Sequence, residues 1–170
     1  VWELAQARMD TLRVPISIYK NNSDFHGASY GTHECVLMER DVPTDDLISA
    51  LIPFLVTRQI YVGAGKVGVE VDRNEPIFQI SQRSDFFTCE ASVDTLHNRP
   101  IVNTRDEPHA KASKYRRLHV IIGDANMSEW ATAMKVGTLT VVLRLLETGW
   151  RPGFQIMNPV SNLKAISRDR

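Results

Sequence analysis

The stretch YRRLHVIIGD (115–124) constrains this chain more than any other. Its inner run, LHVII, is apolar and β-branched apart from one histidine, and it lies between charged flanks. Such a run reads as a buried strand. A helix follows it: Asn126 or Ser128 caps a periodic segment that continues through Glu147 and stops at Gly149. Upstream, VPISIYK (14–20) and THECVLMER (32–40) read as two further strands, joined by an Asn- and Gly-rich segment too long for a two-residue hairpin. Thr44 is placed to cap a helix that runs to about Tyr61, with Asp45 and Asp46 in its first turn and Pro53 inside it. Leu47, Ile48, Leu51, Ile52, Leu55 and Val56 supply its apolar face, and Gly63 its end. Residues 76–93 read as one or two strands and 99–110 as a short strand running into a charged loop. Residues 158–169 begin another helix, and the chain opens within helical spacing at Val1, Leu4, Ala5 and Ala7. Few strands alternate with helices. The expected class is therefore α+β, with a largely antiparallel sheet and helices packed on one face.

The 170 residues suffice for one domain with a sizeable core. Lys plus Arg and Asp plus Glu both number 20, and that neutral balance argues against a nucleic-acid partner. The most apolar stretch, LIPFLV, is far too short for a membrane span. Cys35 and Cys89 make neither a disulfide framework nor a zinc cluster, which fits a cytoplasmic location. Both ends read as positions inside a longer chain. GAGKVG (63–68) matches a dinucleotide fingerprint, yet it follows a helix and precedes an acidic loop, so it reads as a plain loop.

Polar chemistry gathers in three places: Asn21, Asn22, Asp24, His33 and Glu34; Arg105, Asp106, Glu107 and His109; and Arg116, Arg117, His119 and Asp124. A sheet brings distant strands together. One face carrying these groups offers carboxylates and imidazoles to a divalent metal and guanidinium forks to phosphate. That inventory suits phosphoryl transfer from ATP. Taken alone, Arg105-Asp106-Glu107 also reads as a solvated loop, Asn21 to Asp24 as an ordinary turn, and His119 as a core histidine. Cys35 lies two residues from His33 on the same strand face, but no second feature makes it a nucleophile.

YKNNSDFHGASYGTHE, PFLVTRQIYVGAGKVG, FQISQRSDFF, RPIVNTRDEPHA and YRRLHVIIGDANMSE resemble the Pup ligase and Pup deamidase/depupylase family, from Ile16 to Asp169. That family is related to glutamine synthetase and glutamate–cysteine ligase. The resemblance implies a curved antiparallel sheet holding Mg²⁺ and ATP, with Pup and pupylated proteins as partners. Its ligases phosphorylate the C-terminal glutamate of Pup and join it to a lysine; its depupylases cleave that bond or deamidate a C-terminal Gln. By matching position, His33 and His119 become metal ligands. Arg105, Arg116, Arg117, Asn22, Glu107 and His109 become nucleotide or substrate contacts. By the resemblance, the base aspartate, an N-terminal acidic strand with paired Glu and a C-terminal subdomain fall outside these 170 residues, so 1–170 reads as a partial catalytic domain, inactive alone. The family's THENY is THECV here and its DEPHADA is DEPHAKA, which leaves a non-catalytic binding protein as an alternative. IYKNN, GASYG, SQRSD and GDAN resemble the depupylase, and FLVTRQ, GAGKV, RPI and NMSE the ligase; the depupylase is the reading preferred.

Overall fold

The structure is a computed structural model that describes residues 2–68, 70, 77–94 and 97–169. Val1 and Pro76, each at the start of an expected element, lie outside the described residues. Helices are α1 (Trp2–Leu12), α2 (Thr44–Val62), α3 (Glu129–Glu147) and α4 (Pro159–Arg168). Strands are β1 (Thr32–Glu39), β2 (Lys66–Val67), β3 (Phe78–Gln79), β4 (Cys89–Ser92), β5 (Pro100–Asn103) and β6 (Tyr115–Gly123). The main sheet has the order β1-β6-β5-β4. It is antiparallel except for the parallel β4–β5 pair, and β2 and β3 form a separate two-stranded ladder. The class is α+β, as expected.

β6 is an interior strand, and its alternation decides the architecture. Leu118, Val120 and Ile122 point to one face and are buried. There they join Met38 of β1, Val102 of β5 and a row from α2, Leu47, Leu51 and Leu55, in one core. α3 contributes Leu139, Leu143 and Leu146, and α4 contributes Leu163. The other face presents Arg117 and His119 from β6, and His33, Cys35 and Leu37 from β1.

The helical face also hides charge. Arg58 of α2 grips Glu34 of β1 with both terminal nitrogens, at 3.0 and 2.8 Å, and both side chains are almost fully buried. Lys135 of α3 is fully buried nearby; burial holds its ammonium down to about 8, against the pull of Glu34. Its nitrogen donates to the backbone oxygen of Asp124. Asp124 in turn accepts from the backbone N–H of Ala64 and Gln82 and from the Ser81 hydroxyl, pinning two loops to the end of β6.

Three local expectations change. Residues 14–20 form no ladder: Val14, Ile18 and Tyr19 are exposed, and Pro15 lacks a donor, so neither burial nor pairing holds a strand there. The expected cap of α2 moves to Pro43, and the Thr44 hydroxyl instead accepts from Arg116. Residues 77–93 are mostly irregular, with β3, a single 3₁₀ turn (Ser84–Phe86) and β4. Gly63 does end α2, in an extended rather than left-handed conformation. Its requirement is room, since a Cβ would stand 2.3 Å from the Ile80 oxygen.

Breaking the buried pair strands a charge, which costs about 3–5 kcal/mol. Glu34→Ala is expected to lower unfolding stability by that amount in urea. A change on the scale of a surface substitution, about 0.5 kcal/mol, contradicts the pair's anchoring role.

Candidate functional site

The register of four strands builds the site. Cys35 pairs with His119, His119 with Asn103, and Asn103 with Ser92, so these residues form one row across the sheet on the face away from the helices. His33 lies two residues before Cys35, diagonal to His119, within reach of long side chains. The β1–β6 register shifts between Thr32 and Glu34, beside His33, an irregularity that re-aims side chains. The two rings meet edge to face, with centroids 5.1 Å apart and His119 Nε2 3.3 Å from His33 Nδ1. Asn103 Nδ2 is 3.1 Å from the other nitrogen of His119, and Asn103 is buried.

Electrostatics keeps this pair neutral. Burial lowers the His33 pKa first, and the Arg83 and Arg99 charges lower it further. For His119 burial again leads, followed by His33, Arg117 and Arg105.

Beside the rings lies a cavity of about 180 Å³ lined by Ser29, His33, Arg83, Arg99, His119 and Ile121. Among the described residues its wall has cations and no carboxylate. Arg83 is held from three sides: its Nε donates to Ser29 Oγ at 3.0 Å, and one terminal nitrogen donates to the oxygens of Ile121 and Gly123. Burial brings its guanidinium down to about 10, countered by Asp124. Gly31 is required beside it: its φ is +128°, and a Cβ there would lie 2.5 Å from Arg83. Arg99 stacks over Phe86, with its guanidinium carbon 5.4 Å from the ring centre.

On the other side of His119, Arg117 projects from the same strand face. Its Nε is buried with no hydrogen-bond partner among the described residues, and Glu107 is 3.9 Å from its terminal nitrogen. Arg105 pairs with Glu107 at 3.1 Å in an exposed loop, and His109 is exposed there with a φ of 45°.

Other expected contacts lie elsewhere. Arg116 points to the helical face, where it donates to Thr44 Oγ1 and to the Arg40 oxygen, because adjacent strand residues face opposite ways. Glu34 turns inward to Arg58 for the same reason. Asn22 is buried, with its amide bonded to both backbone atoms of Ala125, so it ties the loop to the end of β6. GAGKVG is not wholly the plain loop expected: Lys66 and Val67 form β2 against β3, and the Lys66 side chain is fully buried between Glu70 and Asp85, at 3.1 and 3.4 Å. Arg83, Arg99 and Asn103 were missed among the candidates. The only signal for them was their place inside SQRSD and RPIVN; nothing in the local spacing brings them to His33.

The imidazole pair is a poor start for Mg²⁺, which demands oxygen ligands in near-octahedral array. Among the described residues, no three His, Cys, Asp or Glu side chains gather to hold an ion. The described residues therefore do not complete a Mg²⁺ site.

The Pup-ligase protein family matches residues 1–170. A depupylase of Acidothermus cellulolyticus is 55% identical over 91% of this chain and 31% of its own length. A Pup–protein ligase of Corynebacterium jeikeium is 46% identical over 98% of this chain and 37% of its own. A Pup ligase solved in complex with ADP superposes with a TM-score of 0.77 at 39% identity, covering 98% of this chain and 38% of that one. A Pup ligase solved in complex with Pup gives 0.73 at 42%, covering 88% and 30%. The chain thus spans about a third of the length of the curated relatives it matches.

Because both imidazole pKa values are lowered, the folded state binds fewer protons than the unfolded state just below the ordinary histidine value. The stabilising contribution is fully present above about pH 6.5 and is lost as pH falls through the folded-state pKa values. Proton NMR titration is expected to place both His33 and His119 below the exposed-histidine value; a value at or above it for either ring contradicts this electrostatic account.

Proposed function

The chain belongs to the Pup-ligase protein family, and on that premise we propose that residues 1–170 form part of a nucleotide-dependent catalytic domain acting on Pup and pupylated proteins. The observation that carries the reading is the pairing, on one sheet face, of a neutral imidazole pair with the Arg117 guanidinium, whose buried Nε has no partner among the described residues. Arg117 has a buried Nε seeking an acceptor, and phosphate oxygens supply it. Arg105 and Glu107 stand at the same edge and orient that guanidinium; His109 borders them. The cavity walled by Arg83 and Arg99, with no acid among its described lining residues, suits the anionic group of the second reactant. ATP or its product is the nucleotide proposed, supported by the relative solved with ADP.

His33 and His119 are proposed to flank bound Mg²⁺, with oxygen donors from beyond the described residues completing its shell. Mg²⁺ would neutralise phosphate charge there. The chain's own residues bind and orient: Arg117 and Arg105 hold phosphate, and the imidazole pair stays uncharged between the two cationic ends. The proton-accepting aspartate is proposed to lie outside this stretch, and Cys35, though exposed beside His119, takes no covalent part.

The finer reading is deamidase/depupylase, supported by the higher identity to the depupylase, 55%, than to the Corynebacterium jeikeium ligase, 46%. The second reading, Pup–protein ligase, is favoured by the likeness to the solved Pup ligases. A non-catalytic Pup- or nucleotide-binding role, suggested by Cys35 and Lys111, is the third.

The test uses the full protein carrying this chain, given Mg²⁺, ATP and Pup ending in Gln. Ammonia release without stoichiometric ATP loss is the expected result. ATP consumption coupled to a new Pup–lysine bond, from Pup ending in Glu, establishes the ligase instead, and neither activity establishes the binding role. In that protein Arg117→Ala is expected to weaken nucleotide binding by about 1.5–3 kcal/mol by calorimetry, the range for charge-assisted hydrogen bonds. Cys35→Ser is expected to keep most of its turnover. Unchanged affinity for the first variant, or abolished turnover with intact nucleotide binding for the second, contradicts the assignment.

A further inference from the structure

The imidazole pair does not set its own protonation pattern; a third side chain does. Asn103 is buried and lies directly opposite His119 in the β5–β6 register. Its Oδ1 accepts from the backbone N–H of Arg105 at 2.9 Å. A backbone N–H only donates, so the oxygen must be on that side, and the amide nitrogen must face His119 Nδ1, 3.1 Å away. An amide nitrogen also only donates. Nδ1 of His119 is therefore the acceptor, and in the neutral ring the proton sits on Nε2. That proton points to His33 Nδ1 at 3.3 Å, the long end of a hydrogen bond, and makes that nitrogen an acceptor as well. The proton of His33 is left on Nε2. One direction of donation thus runs from Arg105 N–H through Asn103, His119 and His33.

We infer that Asn103 is a positioning residue that fixes the tautomer of His119, and through it leaves Nε2–H of His33 as the donor of the pair. A donor in the wall of a cavity that also holds Arg83 and Arg99 favours an anion or carbonyl oxygen in that cavity. In this arrangement neither ring has a lone pair free of a donor on the nitrogens that face each other or Asn103. A cation on His119 Nε2 would require the proton to move to Nδ1 and the Asn103 amide to turn, so the same residue governs whether the pair donates or ligates. The inference concerns the rings themselves and holds whichever Pup reaction the protein performs.

The aspartate variant separates this role from simple packing. Asn103→Asp keeps the shape and still accepts from Arg105 N–H, but it has no donor for His119 and accepts from it instead. Long-range ¹⁵N–¹H NMR of the imidazoles reads each nitrogen directly, at a pH above the titration of both rings. In the unaltered chain His119 Nδ1 is expected to be unprotonated and both Nε2 atoms protonated. Asn103→Asp is expected to protonate His119 Nδ1. Asn103→Ala, with the backbone amide spectrum otherwise preserved, is expected to give a mixture of tautomers. If His119 Nδ1 already carries the proton in the unaltered chain, the inference fails with no variant needed. It also fails if either folded variant keeps the original pattern.

Discussion

The structure depends on how β6 is held between β1 and β5. Side chains on a strand alternate, so the register that buries Leu118, Val120 and Ile122 under α2 also turns Arg117 and His119 to the opposite face. A one-residue slip would put the arginine and the imidazole into the apolar core and the valine and isoleucine outside. The hydrophobic energy of the core and the geometry of the site are therefore specified by the same pairing. Cys35, His119, Asn103 and Ser92 form a row because four strands agree on that register, although they are spread from β1 to β6 in sequence.

The charges on the two faces play opposite roles. On the helical face Glu34, Arg58 and Lys135 lock β1, α2 and α3 together, and their mutual proximity replaces water. On the other face Arg83 is anchored to backbone oxygens and, among the described residues, no carboxylate lines its cavity, while Arg117 keeps a buried Nε without a partner there and has Glu107 only at 3.9 Å. Desolvation first, and then the neighbouring positive charges, disfavour protonation of His33 and His119, since a charged ring would lose water and add to an existing excess of positive charge. An anion relieves that excess, which is the physical content of a phosphate- or carboxylate-binding reading.

Much of this was legible in the residues. β6, β1, α2, α3 and α4 follow from apolar periodicity and end signals, and Ser128 caps α3 through Ala131 N–H as its residue type foretells. Residues 14–20 misled because a β-branched run records propensity, whereas a strand exists only with a partner. Within the site, His33 and His119 were visible as polar residues in apolar strands. Arg83 was not, because it arrives from an irregular loop fixed by hydrogen bonds to Ser29, Ile121 and Gly123. Arg116 and Glu34 lie one step of strand parity away from His119, on the helical face, which a list of nearby polar residues ignores.

The central claim is that the face bearing His33 and His119, rather than the helical face, receives the nucleotide. Amide chemical-shift mapping of the chain during titration with ADP tests this most directly. The account predicts perturbations centred on Cys35, Asn103, Arg105, Arg117 and His119. Perturbations confined to Thr44, Ile48 and Arg116 on the helical face, or none in a folded chain at saturating nucleotide, would contradict it.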